Sequence, residues 1–177
     1  MLKTQINQLL ALALCAVGSA NALPNTNTKE FPEVIPGPGL PSLASLNLTS
    51  AELYQRVPSP EVVKGLERRF DLICNEVPQC SVSDATACFN FLTALGQQAC
   101  TVPGPVGASS TFCTAGGCHW FGGNLKQGGG SVSSFCSDVA TGGASVIFGC
   151  TQSNNLVSGA NAANGNGDLI VTISSES

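Results

Sequence analysis

From Asp84 onward the chain sets apolar residues three and four apart, at Ala85, Cys88, Leu92, Leu95 and Ala99. That spacing covers one face of an α-helix. It predicts a helix over residues 83–95, with Ser83 as its cap, Asp84 in its first turn and Gly96 as its stop. A second helical face runs through Cys136, Val139, Ala140, Gly143, Ile147 and Cys150. Gly142-Gly143 opposes it, at about 1 kcal/mol per glycine in a helix interior, and the alternative is a short helix to Thr141 followed by a strand over residues 144–148. One helix is preferred because it keeps both cysteines on the inner face. The remaining pattern is that of strands. Residues 168–173 (DLIVTI) form a strand after the turn residues NGNG, with Leu156-Val157 opening the other arm. Residues 110–115 and 117–122 predict a hairpin that turns at Ala115-Gly116-Gly117 and brings Cys113 and Cys118 close together. Residues 124–131 read as a flexible loop. With a first strand at 71–74, the order is strand, helix, hairpin, helix, strand. This is an α+β sandwich of βαββαβ type, ferredoxin-like or split βαβ, with two helices on an antiparallel sheet.

The N-terminal part has a different texture. Lys3 precedes an apolar stretch at residues 9–17 (LLALALCAV), and Ala20-Asn21-Ala22 supplies small residues around a cut after Ala22. These features predict a signal peptide over residues 1–22 and a secreted, extracellular product. The stretch falls short of the about 20 apolar residues that span a bilayer, so no membrane insertion is expected. Residues 23–69 hold seven of the ten prolines and no cysteine, and residues 25–41 lack any hydrophobic period. They predict a Pro-rich propeptide, largely disordered. Two short helices are expected within it, one at the capping box Thr49-Ser50-Ala51-Glu52 and one at Ser59-Pro60. Arg68-Arg69 ends the segment and reads as a dibasic processing site; the alternative is a charged helix end facing its own dipole. The glycosylation sequon at Asn47 lies upstream of that pair, so a glycan there leaves with the propeptide.

Nine cysteines change the picture most. Cys15 belongs to the signal stretch. Cys74, Cys80, Cys88, Cys100, Cys113, Cys118, Cys136 and Cys150 all fall in residues 70–177, and an even set of eight predicts four disulfides formed in an oxidising compartment. Their pairing stays open among roughly a hundred connectivities. The absence of a CxxC pair argues against zinc. Sixteen of the twenty glycines lie in the same region, which therefore needs staples to hold one conformation. Lys126 is its only basic residue, against Asp71, Glu76, Asp84, Asp138, Asp168 and Glu176. That balance disfavours nucleic acid and anionic membrane surfaces as partners.

Candidate chemistry is sparse. His119 is the only histidine, so two-histidine zinc signatures are excluded, and no GxSxG-like pattern marks a nucleophile. No cofactor is expected. Paired carboxylates remain, but Asp84 reads as helix-first-turn charge, Asp168 as a turn residue and Asp138 as a solvated position on the second helix. No catalytic residue is assigned. His119, Trp120 and Phe121 form an aromatic cluster that reads first as packing, and alternatively as a ligand-contacting patch.

The signal stretch, the Pro-rich segment ending in Arg68-Arg69, the eight cysteines and the terminal NGDLIV strand together resemble the layout of fungal small secreted cysteine-rich proteins, a group that includes effectors and killer-toxin-like proteins. The resemblance implies kexin-type removal of the propeptide. It also implies a non-enzymatic effector or toxin role in virulence or antagonism, through binding to an unknown host or microbial surface component. The alternatives are a small secreted hydrolase that uses a carboxylate pair, and a passive cell-wall component.

Overall fold

The computed structural model describes residues 30–57 and 70–176. A six-stranded antiparallel sheet forms the frame. It comprises β1 (Val34–Pro36), β2 (Ile73–Cys74), β5 (Ser109–Ala115), β6 (Cys118–Asn124), β9 (Gly159–Ala163) and β10 (Asn166–Ser174), in the spatial order β1-β5-β6-β10-β9-β2. Two small ribbons flank it: β3 (Cys80–Ser81) pairs with β8 (Leu156–Val157), and β4 (Ala99–Val102) pairs with β7 (Val132–Phe135). Three α-helices complete the fold: α1 (Ser50–Gln55), α2 (Val82–Leu95) and α3 (Cys136–Cys150).

Strand β10 shows why the sheet buries one face. Leu169, Val171 and Ile173 alternate toward the helices and are fully buried, while Thr172 points the other way. Helices α2 and α3 pack on each other and on that inner face, α2 over β5 and α3 over β9 and β10. The fold class is therefore α+β, with helices on an antiparallel sheet and four disulfides holding the layers. The strand order adds a feature the pattern did not show. β9, not Leu156-Val157, is the arm that pairs with β10, and α3 leads back to a strand antiparallel to β6. Leu156-Val157 instead pairs with Cys80-Ser81.

The cap of helix α2 lies two residues earlier than expected, at Ser81 instead of Ser83, and the Ser81 hydroxyl accepts the Ser83 N–H at 3.1 Å. Asp84 occupies its first turn and Gly96 ends it with φ 56°, as read. The stretch from Cys136 to Cys150 is one helix despite its two central glycines. A Cβ on Gly142 would sit 2.4 Å from the Ala162 carbonyl oxygen, and one on Gly143 would sit 2.1 Å from the Trp120 ring. The glycines that weaken the helix in isolation let it approach the sheet. The loop after β6 is also better held than its composition suggests. Asn124 is fully buried and its Nδ2 donates to the carbonyls of Pro103 and Gly130, each at 2.9 Å.

The reading of residues 23–69 as largely disordered is corrected over residues 30–57. Val34–Pro36 forms an edge strand on β5, and Val34 and Leu53 are 1% and 0% exposed. The capping box forms as expected: the Glu52 N–H donates to the Thr49 hydroxyl and the Thr49 N–H donates to the Glu52 carboxylate. The Thr49 N–H foremost, and then the Thr49 hydroxyl, which donates to the same carboxylate at 3.0 Å, hold the Glu52 carboxyl below its ordinary range. The apolar residues that overturn the disorder reading (Val34, Leu40, Leu43, Leu46, Leu48, Leu53) are too irregularly spaced to form one helical or strand face. They fit a surface instead. The proposed signal peptide and its cut after Ala22, the Ser59-Pro60 helix and Arg68-Arg69 lie outside the described residues.

Candidate functional site

All eight cysteines of residues 70–177 are paired, as Cys74–Cys150, Cys80–Cys118, Cys88–Cys113 and Cys100–Cys136. Three bridges tie a helix to a strand; the Cys80–Cys118 bridge ties the β3 ribbon to β6. Cys113 and Cys118 both point inward from the hairpin, but Cys118 stands opposite Ala115 and each cysteine bonds elsewhere. Four disulfides in so small a domain mark an oxidising, extracellular type of environment.

The aromatic cluster is divided by the sheet. Strand alternation sends Trp120 inward, where it is fully buried against Gly143, and its indole N–H has no acceptor among the described residues. His119 and Phe121 face the other side and are half-buried. His119 Nδ1 lies 3.1 Å from the Thr114 hydroxyl, and Phe121 stands between Thr111 and Thr172 in register. Trp120 thus belongs to the core, and the three residues do not form one patch.

A cleft of about 390 Å³ opens elsewhere, where β7, the first turn of α3 and the β9–β10 turn meet. Its walls are Ala99, Ser133, Ser134, Phe135, Asp138, Asn164, Gly165 and Asn166. The Cys100–Cys136 bridge fixes β4 and α3 beside it, and the Cys136 N–H donates to the Gln98 carbonyl at 2.8 Å. Asn166 Nδ2 donates to the Ser133 carbonyl and the Ser134 hydroxyl, at 3.0 and 2.8 Å. The Asn164 N–H donates to the Asp138 carbonyl at 3.0 Å, and its Nδ2 reaches the Asp138 carboxylate at 3.5 Å. These bonds orient the walls. Phe135 is 49% exposed, so one aromatic ring borders a group of hydroxyls, amides and a single carboxylate.

The acids do not converge. Asp138 is the one carboxylate among the cleft residues. Asp84 accepts the Tyr54 hydroxyl proton at 2.8 Å on α2, and Asp168 is exposed on β10. Asp71, Glu76 and Glu176 are exposed too. Lys126 donates to the Ser131 carbonyl at 3.3 Å. Among the described residues no three His, Cys, Asp or Glu side chains group as a metal site, and no helix is long and apolar enough to cross a membrane.

Residues 69–175 match the family described as domain of unknown function (DUF8794). The chain belongs to that family. No curated protein matches the chain, and no solved structure does. The matched DUF8794 residues start at the second arginine of Arg68-Arg69 and take in every disulfide and the whole cleft. Residues 30–57 lie outside the match.

Sequence reasoning placed Asp138 on α3 but missed the residues around it. Asn164, Gly165 and Asn166 read as turn residues; the first two are, Asn166 already opens β10, and Ser133 to Phe135 carry no signal of their own. Only the fold brings the two stretches together. Asn47 is exposed and holds a left-handed backbone at φ 52°.

Proposed function

We propose that the protein is exported, cut after Arg69, and acts outside the cell as a non-enzymatic binding protein of effector or toxin type. Its ligand is a neutral, polyhydroxylated component of a host or microbial surface. The observation that carries this reading is the cleft: an exposed Phe135 ring beside Asp138, Asn164 and the Ser134 hydroxyl. A sugar presents C–H faces that lie against an aromatic ring and hydroxyls that bond to carboxylates and amides. Convergent polar groups beside an apolar wall are the usual form of a small-ligand site. Carboxylate-pair hydrolysis needs a second acid roughly 5–9.5 Å away, and the cleft walls supply one acid only.

The test is retention of the secreted protein on insoluble chitin, β-glucan and peptidoglycan, with released reducing ends measured in parallel. Retention on one of them without release is expected, with Phe135→Ala and Asp138→Ala each weakening it by about tenfold, the loss of one good contact. Release of sugar that Asp138→Asn abolishes would establish the hydrolase instead. Retention that ignores both substitutions, or none at all, would remove the cleft from the account.

A further inference from the structure

Residues 30–57 lie on the DUF8794 domain as an added strand and an added helix. β1 extends the sheet at the outer edge of β5, and the Gly37 N–H donates to the Phe112 carbonyl at 2.8 Å. The fit is close enough that a Cβ on Gly37 would fall 1.9 Å from the Thr111 carbonyl oxygen. On the other side, Asn90 of α2 is 7% exposed, and its Nδ2 donates to the carbonyls of Leu53 and Arg56 at 2.7 and 2.9 Å. Leu53 itself is fully buried. No disulfide reaches this segment. Its only covalent link to the domain runs through residues 58–69, which end in Arg68-Arg69.

From the domain's side these are the features of a peptide-docking surface. A strand edge offers main-chain hydrogen bonds, an apolar floor takes alternate side chains, and a buried amide donates to the carbonyls at a helix end. We propose that the β5 edge and the adjoining face of α2 form a docking surface for an apolar peptide that adds a short strand and a short helix, that residues 30–57 occupy it in cis, and that cleavage after Arg69 makes them a dissociable ligand. The release step rests on the processing reading above; the surface does not depend on the cleft.

Effective concentration drives the release. A short tether holds the segment at about millimolar effective concentration, so a contact with a Kd of about 1–100 μM stays more than nine-tenths closed. Once severed, the same contact at about 100 nM protein is mostly open. The match to DUF8794 begins at residue 69, which agrees with a domain that is complete without the cover.

Hydrogen exchange on the full secreted precursor, before and after cutting with a dibasic-specific protease, tests this. After the cut and dilution to about 100 nM, the β5 amides should exchange at least about tenfold faster while those of β6 and β10 stay protected. The fragment should elute apart from the domain, and a synthetic 30–57 peptide at about 1 mM should restore protection. Leu53→Ala in the uncut precursor, a change confined to the cover, should speed β5 exchange alone. A fragment that stays bound with β5 unchanged would make it a permanent second chain and overturn the proposal. So would loss of protection across β6 and β10. A secreted protein beginning at Leu23 would remove the release step; the Leu53→Ala arm, which needs no cut, still decides whether the surface is a docking groove.

Discussion

Gly143 lies against the Trp120 ring, and this contact sets how near α3 can come to the sheet. At an exposed helix position, replacing glycine by alanine gains about 1 kcal/mol. Here the added methyl would lie 2.1 Å from the ring, so the sign reverses. Gly143→Ala should lower the denaturant midpoint by the equivalent of about 1–3 kcal/mol, the usual range for overpacking, with the slope unchanged. A gain in stability would mean that the helix and ring are not in contact. The same pair shows what could be read at the scale of residues. The cluster around Trp120 reads first as packing, and Trp120 is in the core; what the run of three aromatic side chains does not show is that its neighbours face the other way. Burial depends on which face of a strand a residue takes, and that is set by the register of β6 against β5 and β10. Phe135 and Asn164 were illegible for a related reason: neither has a neighbour in the chain that marks it, and only the β7–α3–turn junction gives them a role.

Elements were more legible than residues. Helices α2 and α3, the β5–β6 hairpin and β10 all follow from periodicity, since each carries a face that the core requires. What failed was the reading of the segment at residues 30–57, whose prolines and lack of period suggested disorder. Its strand has three residues and its helix six, too short to be stable alone or to show a period. They form because the domain presents an edge and an apolar face. Tyr54 reports on that docking. Burial first, then the hydrogen bond and charge of Asp84, push its hydroxyl above the ordinary value of 10.0. The folded chain thus keeps this proton longer than the unfolded chain does. The contribution of the contact is complete below about pH 10 and declines as pH rises beyond it. Tyr54 is the only tyrosine in the chain, so an ultraviolet titration reads this hydroxyl alone. Its midpoint should lie above 10 in the native protein, move part of the way back when Asp84→Asn removes the charged acceptor, and return to about 10 on unfolding. An ordinary midpoint in the native protein would mean that α1 is not seated on α2.

At the scale of the molecule, the count of cysteines was readable and their pairing was not, because eight thiols leave roughly a hundred connectivities that only the fold resolves. The four bridges should appear as a gain of about 8 Da on reduction of the intact secreted protein, and each cysteine pair replaced by alanine should cost about 2–5 kcal/mol. A smaller mass gain would show that one of the pairs is open. The sheet they brace has a further property. Its two outer strands, β1 and β2, are three and two residues long, so the frame ends on both sides in stubs. Very short edge strands are one way proteins avoid recruiting neighbours into a growing sheet. Whatever lifts β1 away uncovers Cys113, Thr114 and Ala115 of β5, and lengthens the open border of main-chain donors and acceptors that a second copy could join. The proposed release would then bear on storage as well as recognition: the uncut precursor should stay monomeric on concentration, and the cut and separated domain should associate edge to edge, which light scattering checks.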